Sequence, residues 1–437
     1  MSKFDVAIVG AGFTGLVAAL ELAKAGKSVC ILEADDHPGG LAGTFRFSDG
    51  VEVEKFYHHW FNNDLHVLEL VRDLGLEGDV LTHPSSTGMY LNGRIWKLSK
   101  PMDVLRFKAL PLIDRIRLGL LVFQVQLIRD WRKIEHLSIR EWLEPLCGKM
   151  VYDVIWRPLI RAKFSVFEEE ISAVWMWKKL VLRGGTRGKG GGEELCYFRG
   201  GFGRLTEKLA ERVVELGGVI RYGVPVDGVE TADKTVVALR AGSERIEAQN
   251  FLFTPSLTQI ADVFEGEAPR DWLARLRRVR YLGNVCLILR LDRSLSGTYW
   301  MNVNDPGFPF VGVIEHTNFD SPENYRGSHI VYLSRYLPVE DPIWSYSDAE
   351  YLEFVLPYLQ RMFPDFERNW IIDSAVWRSA YAQPVTEKHY SQYVPGRETP
   401  FDNALISTMA QIYPEDRGTN YAIREGKDVS QTLISRL

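Results

Sequence analysis

Two adjacent histidines, His58 and His59, lie in a stretch that is rich in aromatic residues. Histidine titrates near neutral pH, so either side chain could transfer a proton during catalysis. Packing in an aromatic core, with one ring nitrogen bonded to the backbone, would explain the same residues equally well. The pair is therefore a candidate catalytic site, and both interpretations stay open.

Two other stretches are rich in cations. A Trp-rich helical stretch, residues 156–164, gathers three cations, of which Arg157 and Arg161 are the candidates, and a glycine-rich segment carries Arg187 and Lys189. Arginine pairs well with carboxylate or phosphate, so these cations are candidates to bind an anionic substrate. A solvated helix face and a flexible linker would have the same composition, and the sequence favours these simpler explanations.

A glycine turn between a strand and a helix predicts a dinucleotide site. Residues 4–9 form a short apolar run typical of a buried parallel strand, and a helix follows from about Thr14 to Ala25. In the Gly-X-Gly-X-X-Gly pattern, the second glycine lets the backbone approach a pyrophosphate. An acidic residue follows about 20 residues later, where a carboxylate can bind the ribose of an adenosine. The predicted ligands are Gly10, Ala11, Gly12, Phe13, Thr14, Gly15, Glu33 and Ala34.

A second glycine turn follows soon after Glu33 and has no place in a simple dehydrogenase unit. The stretch 33–44 resembles the glycine-doublet segment of the flavin amine oxidase superfamily. That superfamily includes protoporphyrinogen oxidases, phytoene desaturases and UDP-galactopyranose mutases. The resemblance implies that the cofactor is FAD and that Gly40, Leu41 and Ala42 lie along it.

Two later segments extend this resemblance. Residues 200–226 resemble the family's middle FAD segment, which implies that Val226 contacts the adenine. Residues 416–426 resemble the closing segment, in which a helix N-terminus points at the flavin edge that becomes negative on reduction. A capped surface helix could also begin there. The ligands implied in the closing segment are Gly418, Thr419, Asn420, Tyr421 and Ala422.

Two details refine the resemblance. The histidine stretch is similar to one in UDP-galactopyranose mutases, with His58 at the first family histidine and Phe61 near the second. Many family members carry Gly-Asp or Gly-Glu before the last helix, whereas this chain has residues 407–411, Ser-Thr-Met-Ala-Gln. This difference moves the resemblance toward the protoporphyrinogen-oxidase-like and mutase-like branches.

The predicted fold is α/β: an FAD-binding, Rossmann-like domain of the glutathione-reductase type, with an inserted, mainly helical and β-sheet substrate domain. Strands are expected at 281–291, 329–335 and 371–377, and a closing helix from about Thr419. The FAD domain is predicted to be discontinuous and to comprise residues 1–98, 195–257 and 370–437. The substrate domain is predicted to comprise a helical region at 99–194 and a sheet with helices at 258–369.

Residues 111–131 predict a helix with one apolar stripe. Its uncharged run, from Leu118 to Ile128, is too short to span a bilayer, which takes about 20 residues. We expect a buried core helix, with a peripheral membrane contact as the less favoured alternative. The stripe consists of Leu112, Ile116, Leu120, Phe123, Leu127 and Trp131.

The composition limits the classes of partner. A net charge of -5 over 437 residues gives no general attraction to nucleic acid. The four cysteines form no CxxC pair, so we expect no bound metal, no disulfide framework and a reducing compartment. The chain begins without a secretion signal, which favours the cytoplasm or, less strongly, its membrane periphery.

The expected activity is that of an FAD-dependent oxidoreductase, similar to protoporphyrinogen oxidases and amine oxidases, that takes a hydride from an organic substrate onto flavin N5. One alternative is a redox-neutral mutase acting on a nucleotide sugar, and another is a non-catalytic flavin-binding subunit. The substrate is expected to be a small molecule, either anionic or lipid-like. The sequence identifies neither that substrate, nor the electron acceptor, nor the oligomeric state.

Overall fold

A computed structural model of the chain describes residues 4–98, 101–184 and 194–437, so Arg187 and Lys189 lie outside the described residues. The helices are α1 (Phe13–Lys24), α2 (Leu65–Asp73), α3 (Pro101–Arg106), α4 (Leu112–Gln126), α5 (Ile139–Cys147), α6 (Lys149–Val151), α7 (Arg157–Phe164), α8 (Ala173–Gly184), α9 (Gly201–Glu215), α10 (Leu257–Val263), α11 (Arg270–Arg278), α12 (Asp348–Met362) and α13 (Thr419–Arg436). The strands are β1 (Phe4–Val9), β2 (Val29–Leu32), β3 (Thr44–Arg46), β4 (Glu52–Glu54), β5 (Trp60–Phe61), β6 (Val80–Pro84), β7 (Thr87–Leu91), β8 (Arg94–Lys97), β9 (Glu194–Phe198), β10 (Val219–Arg221), β11 (Gly228–Ala232), β12 (Thr235–Ala241), β13 (Glu244–Phe253), β14 (Tyr281–Leu291), β15 (Trp300–Val303), β16 (Gly312–Glu315), β17 (His329–Leu337), β18 (Ile371–Pro384) and β19 (Ala404–Ile406).

The first seven-stranded sheet is mostly parallel. Strands β10, β2, β1, β13 and β19 run side by side in parallel, and β12 and β11 extend the sheet in antiparallel fashion. The parallel strands are short apolar runs because helices cover both of their faces. Helices α1, α9 and α13 share a core with one face, and α10 and α11 share a core with the other. This arrangement is a Rossmann-like layer whose parts come from the start, middle and end of the chain.

The second seven-stranded sheet has the order β18-β14-β17-β16-β15-β7-β8. Strand β14 pairs antiparallel with both β17 and β18. One face of these strands packs against α12 in a purely apolar core. Residues on the alternate face, such as Cys286 and Tyr332, join the core of the first domain. The second sheet therefore stands with one face toward the Rossmann-like layer.

The α/β class predicted from the sequence is confirmed, but strand pairing crosses the predicted segment boundaries. Strands β7 and β8 come from the segment 1–98, and β18 comes from the segment 370–437, yet all three pair in the second sheet. The expected strand at 371–377 is longer than predicted and continues to Pro384. Its pairing with β14, not its position near the chain end, decides which sheet it joins.

The helical region from α3 to α8 surrounds a separate apolar core. Helix α4 contributes Leu121 and Val125 to that core, which are 1% and 0% exposed. The prediction that the apolar stripe of α4 is buried in the core is wrong, because the opposite face of this helix packs against α5 and α8. Among the described residues, no helix is long and apolar enough to cross a bilayer. The exposed members of the stripe, at 44–80% exposure, are Leu112, Ile116, Leu120, Phe123 and Leu127.

Candidate functional site

The first glycine turn joins β1 to α1 at the carboxyl edge of the parallel sheet. Gly10 has a φ of +102°, which favours glycine. A Cβ on Gly15 would lie 2.0 Å from the carbonyl oxygen of Gly10, so no side chain fits there. A Cβ on Gly12 would meet nothing within 4 Å, so the space above this residue is open. The turn is thus closed behind Gly15 and open at Gly12, as pyrophosphate binding requires.

Glu33 lies beside this turn at the end of β2. Its carboxylate accepts hydrogen bonds from the backbone N–H of Ala11 at 2.5 Å and of Asp35 at 3.0 Å. The carbonyl of Glu33 accepts a hydrogen bond from Val224 N at 2.8 Å, which brings the segment of Val226 to the same strand end. Ala34 is exposed and Val226 is half-buried. The residues predicted to surround an adenosine therefore lie together.

The second glycine turn packs directly on the first. Gly39 N donates to the carbonyl of Ala11 at 2.9 Å. A Cβ on Gly40 would lie 3.6 Å from Cα of Gly12, so the two backbones face each other closely. Gly40, Leu41 and Ala42 form a short 3-10 turn here. The family resemblance implies that both turns bind the same FAD molecule. In the structure the two turns are in contact with each other.

The closing segment reaches the same turn from the other end of the chain. Thr14 Oγ1 donates to the carbonyl of Ala422 at 3.2 Å. Asn420 Oδ1 instead accepts from His66 N at 2.9 Å and so joins α13 to α2. Gly418, the residue before α13, provides no side-chain cap, and Gly12 provides none for α1. Both helices therefore present first-turn N–H groups, which favour phosphate or the negative edge of a flavin.

One buried hydroxyl supports the presence of a ligand at this edge. Ser407 follows β19, which runs parallel to β13, and its backbone N–H bonds to Phe253 O at 2.9 Å. Its side chain is 1% exposed, yet within the described part of the chain its Oγ has no hydrogen-bond partner. A buried hydroxyl without a partner is unfavourable, so a polar ligand atom would suit this position. Together with the open glycine turns, this orphan hydroxyl fits a bound dinucleotide.

His58 packs beside the middle segment predicted to bind FAD. Its Nδ1 lies 2.6 Å from the carbonyl of Phe56, so Nδ1 carries the proton and Nε2 is the free acceptor. The ring packs on Phe202 of the middle segment at 5.2 Å between centroids. Burial lowers the pKa of His58, although the carboxylate of Glu54 opposes this effect. His58 is therefore neutral at physiological pH and can accept a proton at Nε2.

His59 belongs to an aromatic wall rather than to the glycine turns. Its Nδ1 lies 3.0 Å from the hydroxyl of Tyr299, and its ring packs edge-on against Trp300 at 5.6 Å. Tyr57 packs on the other side of Trp300 at 5.0 Å and also contacts Tyr332 at 6.1 Å. Of the two histidines, His58 is thus the one fixed by the backbone beside the predicted FAD segments.

A polar cluster that the sequence did not predict lies on the same face of the second sheet. Arg417 Nη2 donates to the hydroxyl of Tyr336 at 3.1 Å, and Lys163 Nζ lies 3.8 Å from the centre of the Tyr336 ring. Arg417 Nε also donates to Gln383 Oε1 at 3.1 Å. Lys163, Tyr336 and Arg417 are called the cationic cluster below. Lys163 lies two residues beyond the candidate Arg161, and Arg417 immediately precedes Gly418. Both cations of the cluster therefore lie in or beside stretches that the sequence already predicted to bind a ligand.

The members of the cationic cluster change one another's acidity. Burial lowers the pKa of Lys163 to about 8. Burial opposes ionisation of Tyr336, but the positive charges of Lys163 and Arg417 outweigh it and lower that pKa to about 8. The neighbouring Asp416 is held ionised because Lys179, Lys163 and Arg417 outweigh its burial and keep its pKa well below the usual value. The cluster is therefore rich in positive charge at neutral pH.

The two described cations that the sequence proposed as anion ligands lie elsewhere. Arg161 is exposed. Arg157 is half-buried, and its guanidinium lies 3.7 Å from the carboxylate of Glu168. Neither residue contacts the cationic cluster through a hydrogen bond or ion pair among the described residues. The helix that carries them does contribute to the site, but through Lys163.

A surface cavity of about 430 Å³ lies beside the site without containing the glycine turns. Glu54 lines it, and its carboxylate accepts hydrogen bonds from Tyr197 Oη at 2.5 Å and Phe202 N at 3.0 Å. Glu54 thereby caps the start of α9 and fixes Phe202 against His58. Glu54 thus positions the middle segment at the wall of this cavity.

Comparisons with known proteins agree with this geometry. Amine oxidase [flavin-containing] B of Sus scrofa is 25% identical over 264 residues, which cover 57% of this chain and 49% of that protein. The chain thus spans about half the length of this curated relative. A solved protein of Exiguobacterium sp. 255-15, provisionally named a protoporphyrinogen oxidase, superposes with a TM-score of 0.78 at 17% identity and 100% coverage of both chains. Reduced UDP-galactopyranose mutase gives a TM-score of 0.75 at 14% identity and covers 100% of this chain and 95% of that one.

The two structural neighbours establish a shared fold and no more, because their sequences are so distant. The family is shown by sequence. A model described as flavin containing amine oxidoreductase matches residues 13–434 and includes all the segments predicted to bind the cofactor except the first three residues of the glycine turn. The resemblance inferred from the glycine segments is thereby confirmed: this chain belongs to the family of flavin-containing amine oxidoreductases.

Proposed function

We propose that this chain binds FAD and oxidises a small organic substrate by hydride transfer. The observation that supports the proposal is the convergence of the two glycine turns, Ser407 and the start of α13 beside His58. Bound FAD would supply a two-electron acceptor at flavin N5. FAD is proposed rather than FMN because Glu33 is assigned to the ribose of an adenosine, which FMN lacks.

The chain's own residues have separate tasks in this proposal. The N–H groups at the start of α1 bind the pyrophosphate, and Glu33 binds the ribose hydroxyls. The N-terminus of α13 stabilises negative charge at the flavin edge. His58 accepts the substrate proton at Nε2, because its Nδ1 proton is held by Phe56 O. The aromatic wall of Tyr57 and Trp300 excludes water from the substrate.

A redox-neutral mutase is the second candidate. Lys163 and Arg417 would also suit the diphosphate of a nucleotide sugar, which gives this alternative a specific structural argument. Such an enzyme would need reduced flavin and would consume no electron acceptor. The fold is shared by both kinds of enzyme and does not choose between them.

The first experiment tests the cofactor and the reaction together. Purified protein is expected to be yellow and to release FAD, not FMN, on denaturation. Amines and organic acids are then added without oxygen, and the visible flavin absorbance is followed. A substrate that bleaches the oxidised flavin, with recovery on adding an acceptor, supports the oxidoreductase. Turnover that requires prior reduction and consumes no acceptor would contradict it and support the mutase.

A further inference from the structure

The carboxylate of Asp416 offsets only part of the positive charge of the cationic cluster, because Lys163, Arg417 and Lys179 share it. Among the described residues, neither Lys163 nor Arg417 lies within ion-pair distance of a carboxylate. The hydrogen-bond partners of Arg417 are the neutral groups of Tyr336 and Gln383. The adjacent Asp416 is already paired with Lys179 at 2.6 Å.

This charge is partly shielded from solvent, since Lys163 and Arg417 are half-buried. Tyr336 is 8% exposed and Gln383 is 1% exposed, so the polar atoms that surround the two cations are buried. Cations in such surroundings lose hydration, and the shared carboxylate of Asp416 offsets that loss only in part. The lowered pKa of Lys163 expresses the same cost. An anionic ligand would restore the missing interaction.

The helix that carries Lys163 follows an irregular backbone segment of the helical region. The chain forms a π-helix over Tyr152–Trp156 just before α7. A π-helix leaves carbonyls out of the regular ladder, and such bulges occur often at functional sites. Asn304 Nδ2 donates to the carbonyls of Val154 and Ile155, both at 3.0 Å, and so ties this bulge to the end of β15. The segment from which α7 begins is thus tied to the second sheet.

A further buried amide lies on the same face of the sheet. Asn284 of β14 stands opposite Tyr336 in the strand register, and its Nδ2 donates to Ser334 Oγ at 2.8 Å. The residue is 3% exposed, and within the described ranges its Oδ1 has no hydrogen-bond partner. Tyr57 also bonds to Ser334, so the polar residues continue from the cationic cluster toward the stretch of His58. These polar groups form a path between two parts of the candidate site.

We propose that Lys163, Tyr336 and Arg417 anchor an anionic oxygen group of the substrate, either a carboxylate or a phosphate. This inference rests on the proposed function and defines its substrate class. Arg417 immediately precedes Gly418, and Tyr57 immediately precedes His58. A group anchored between them directs the rest of the substrate toward the predicted flavin edge and Nε2 of His58. The sequence suggests Arg157 and Arg161 as anion ligands, and the present proposal instead assigns this role to Lys163, two residues beyond Arg161.

The test measures anion binding without relying on turnover. FAD-loaded protein is titrated calorimetrically with benzoate, with its neutral counterpart benzamide and with pyrophosphate. One anion is expected to bind at least about tenfold more tightly than benzamide, because charge-assisted hydrogen bonds are roughly twice as strong as neutral ones. Benzoate as the tighter anion identifies a carboxylate site, and pyrophosphate identifies a phosphate site.

Variants locate the binding. Lys163→Met is expected to weaken binding of the preferred anion about tenfold or more and to leave benzamide unchanged. Lys149→Met is the matched control, since Lys149 belongs to the same helical region but is 69% exposed and pairs with Asp153. Tyr336→Phe removes only the hydroxyl and serves as the second variant if Lys163→Met does not fold. Anions that bind no better than benzamide, or that ignore both substitutions, would overturn the proposal.

The outcomes separate this inference from the proposed function. Protein that retains FAD and consumes an acceptor, but binds neither anion, disproves the anchoring site alone. Protein that binds an anion through Lys163 but turns over only after reduction disproves the oxidoreductase alone. Flavin absorbance recorded during each titration adds an independent readout, because an anion beside the flavin edge is expected to shift the spectrum.

Discussion

The two seven-stranded sheets contribute to the candidate site in different ways. The first sheet ends in glycine turns, and its contribution is backbone: open space at Gly12, a close approach at Gly40 and uncapped helix starts. The second sheet contributes side chains, among them Tyr336 and Trp300, which come from different strands. A backbone-built site depends on glycines at fixed spacing and is visible in the sequence. A side-chain site depends on which strands become neighbours, and it is visible only in the fold.

The largest expected effect follows from the contrast between two glycines in the same turn. Gly12→Val should abolish FAD binding while the protein still folds, because Gly12 has an ordinary extended conformation (φ -75°) and open space around it. Gly15→Val should destabilise the fold itself, since its Cβ would lie 2.0 Å from Gly10 O. Flavin content and thermal melting of both variants separate these effects. A yellow Gly12→Val protein would show that the pyrophosphate is bound elsewhere.

His58→Ala tests whether the junction of the two sheets performs chemistry. A general acid or base contributes about 10²–10⁴-fold, so turnover should fall by that order while FAD stays bound. His136→Ala is a suitable control, because His136 is an exposed histidine outside the segments predicted to bind FAD. Substitution of Arg187 and Lys189 is expected to matter less. Steady-state kinetics on the substrate found by flavin bleaching provide the measurement, and an unchanged rate would assign His58 to packing.

Glu33→Ala is expected to weaken FAD binding by about 1–3 kcal/mol, the cost of leaving polar groups unpaired. The structure adds a second reason, because Glu33 also accepts the N–H of Ala11 within the glycine turn. Equilibrium titration of apoprotein with FAD measures the change. Glu33→Gln, which keeps one acceptor, should lose less than Glu33→Ala. Equal affinity of all three proteins would place the ribose away from β2.

The smallest expected effect is the pH dependence of anion binding. This dependence tests the side chains of the cationic cluster beside the second sheet and does not involve the glycine turns of the first sheet. Below about pH 8, Lys163 is protonated and Tyr336 is neutral; as the pH rises through 8 the pair loses one proton, and this loss makes loss of a second proton harder. Loss of that proton removes one positive charge from the cluster, so affinity for an anion should be full at lower pH and fall as pH rises through 8. Linkage to one proton gives roughly tenfold per pH unit above the pKa. The Lys163→Met protein should show a shallower dependence, and a flat profile for the unaltered protein would contradict the assignment.

The sequence predicts those parts of the molecule whose cause is local. The apolar run of β1, the glycines after it and the N-terminus of α13 at Thr419 all appear where expected. The stripe on α4 illustrates the limit, because periodicity identifies an apolar face but not the partner that covers it. Leu120 and Phe123 are 51% and 69% exposed for that reason.

The cationic cluster illustrates the same limit in the site. Lys163 looks like one more cation in a charged helix until β17 brings Tyr336 beneath it. Alternation along β17 does place Tyr332, Ser334 and Tyr336 on one face, since strand side chains alternate. The sequence does not state that this face lies toward the Rossmann-like layer. Contacts between distant segments supply that information.

The hydrogen bond from Thr14 to Ala422 joins residues 408 positions apart. During synthesis, α1 is made early, whereas α13 is made only after all the strands of the second sheet. The contact between these two helices therefore forms late. Closing so long a loop costs little more than closing a shorter one, since each doubling adds only about 0.6 kcal/mol. The late synthesis of α13 therefore delays formation of this contact but adds little to its free-energy cost. Nascent or C-terminally shortened chains lack α13, the helix predicted to contact the flavin edge, so we expect stable flavin capture to be among the last events of folding.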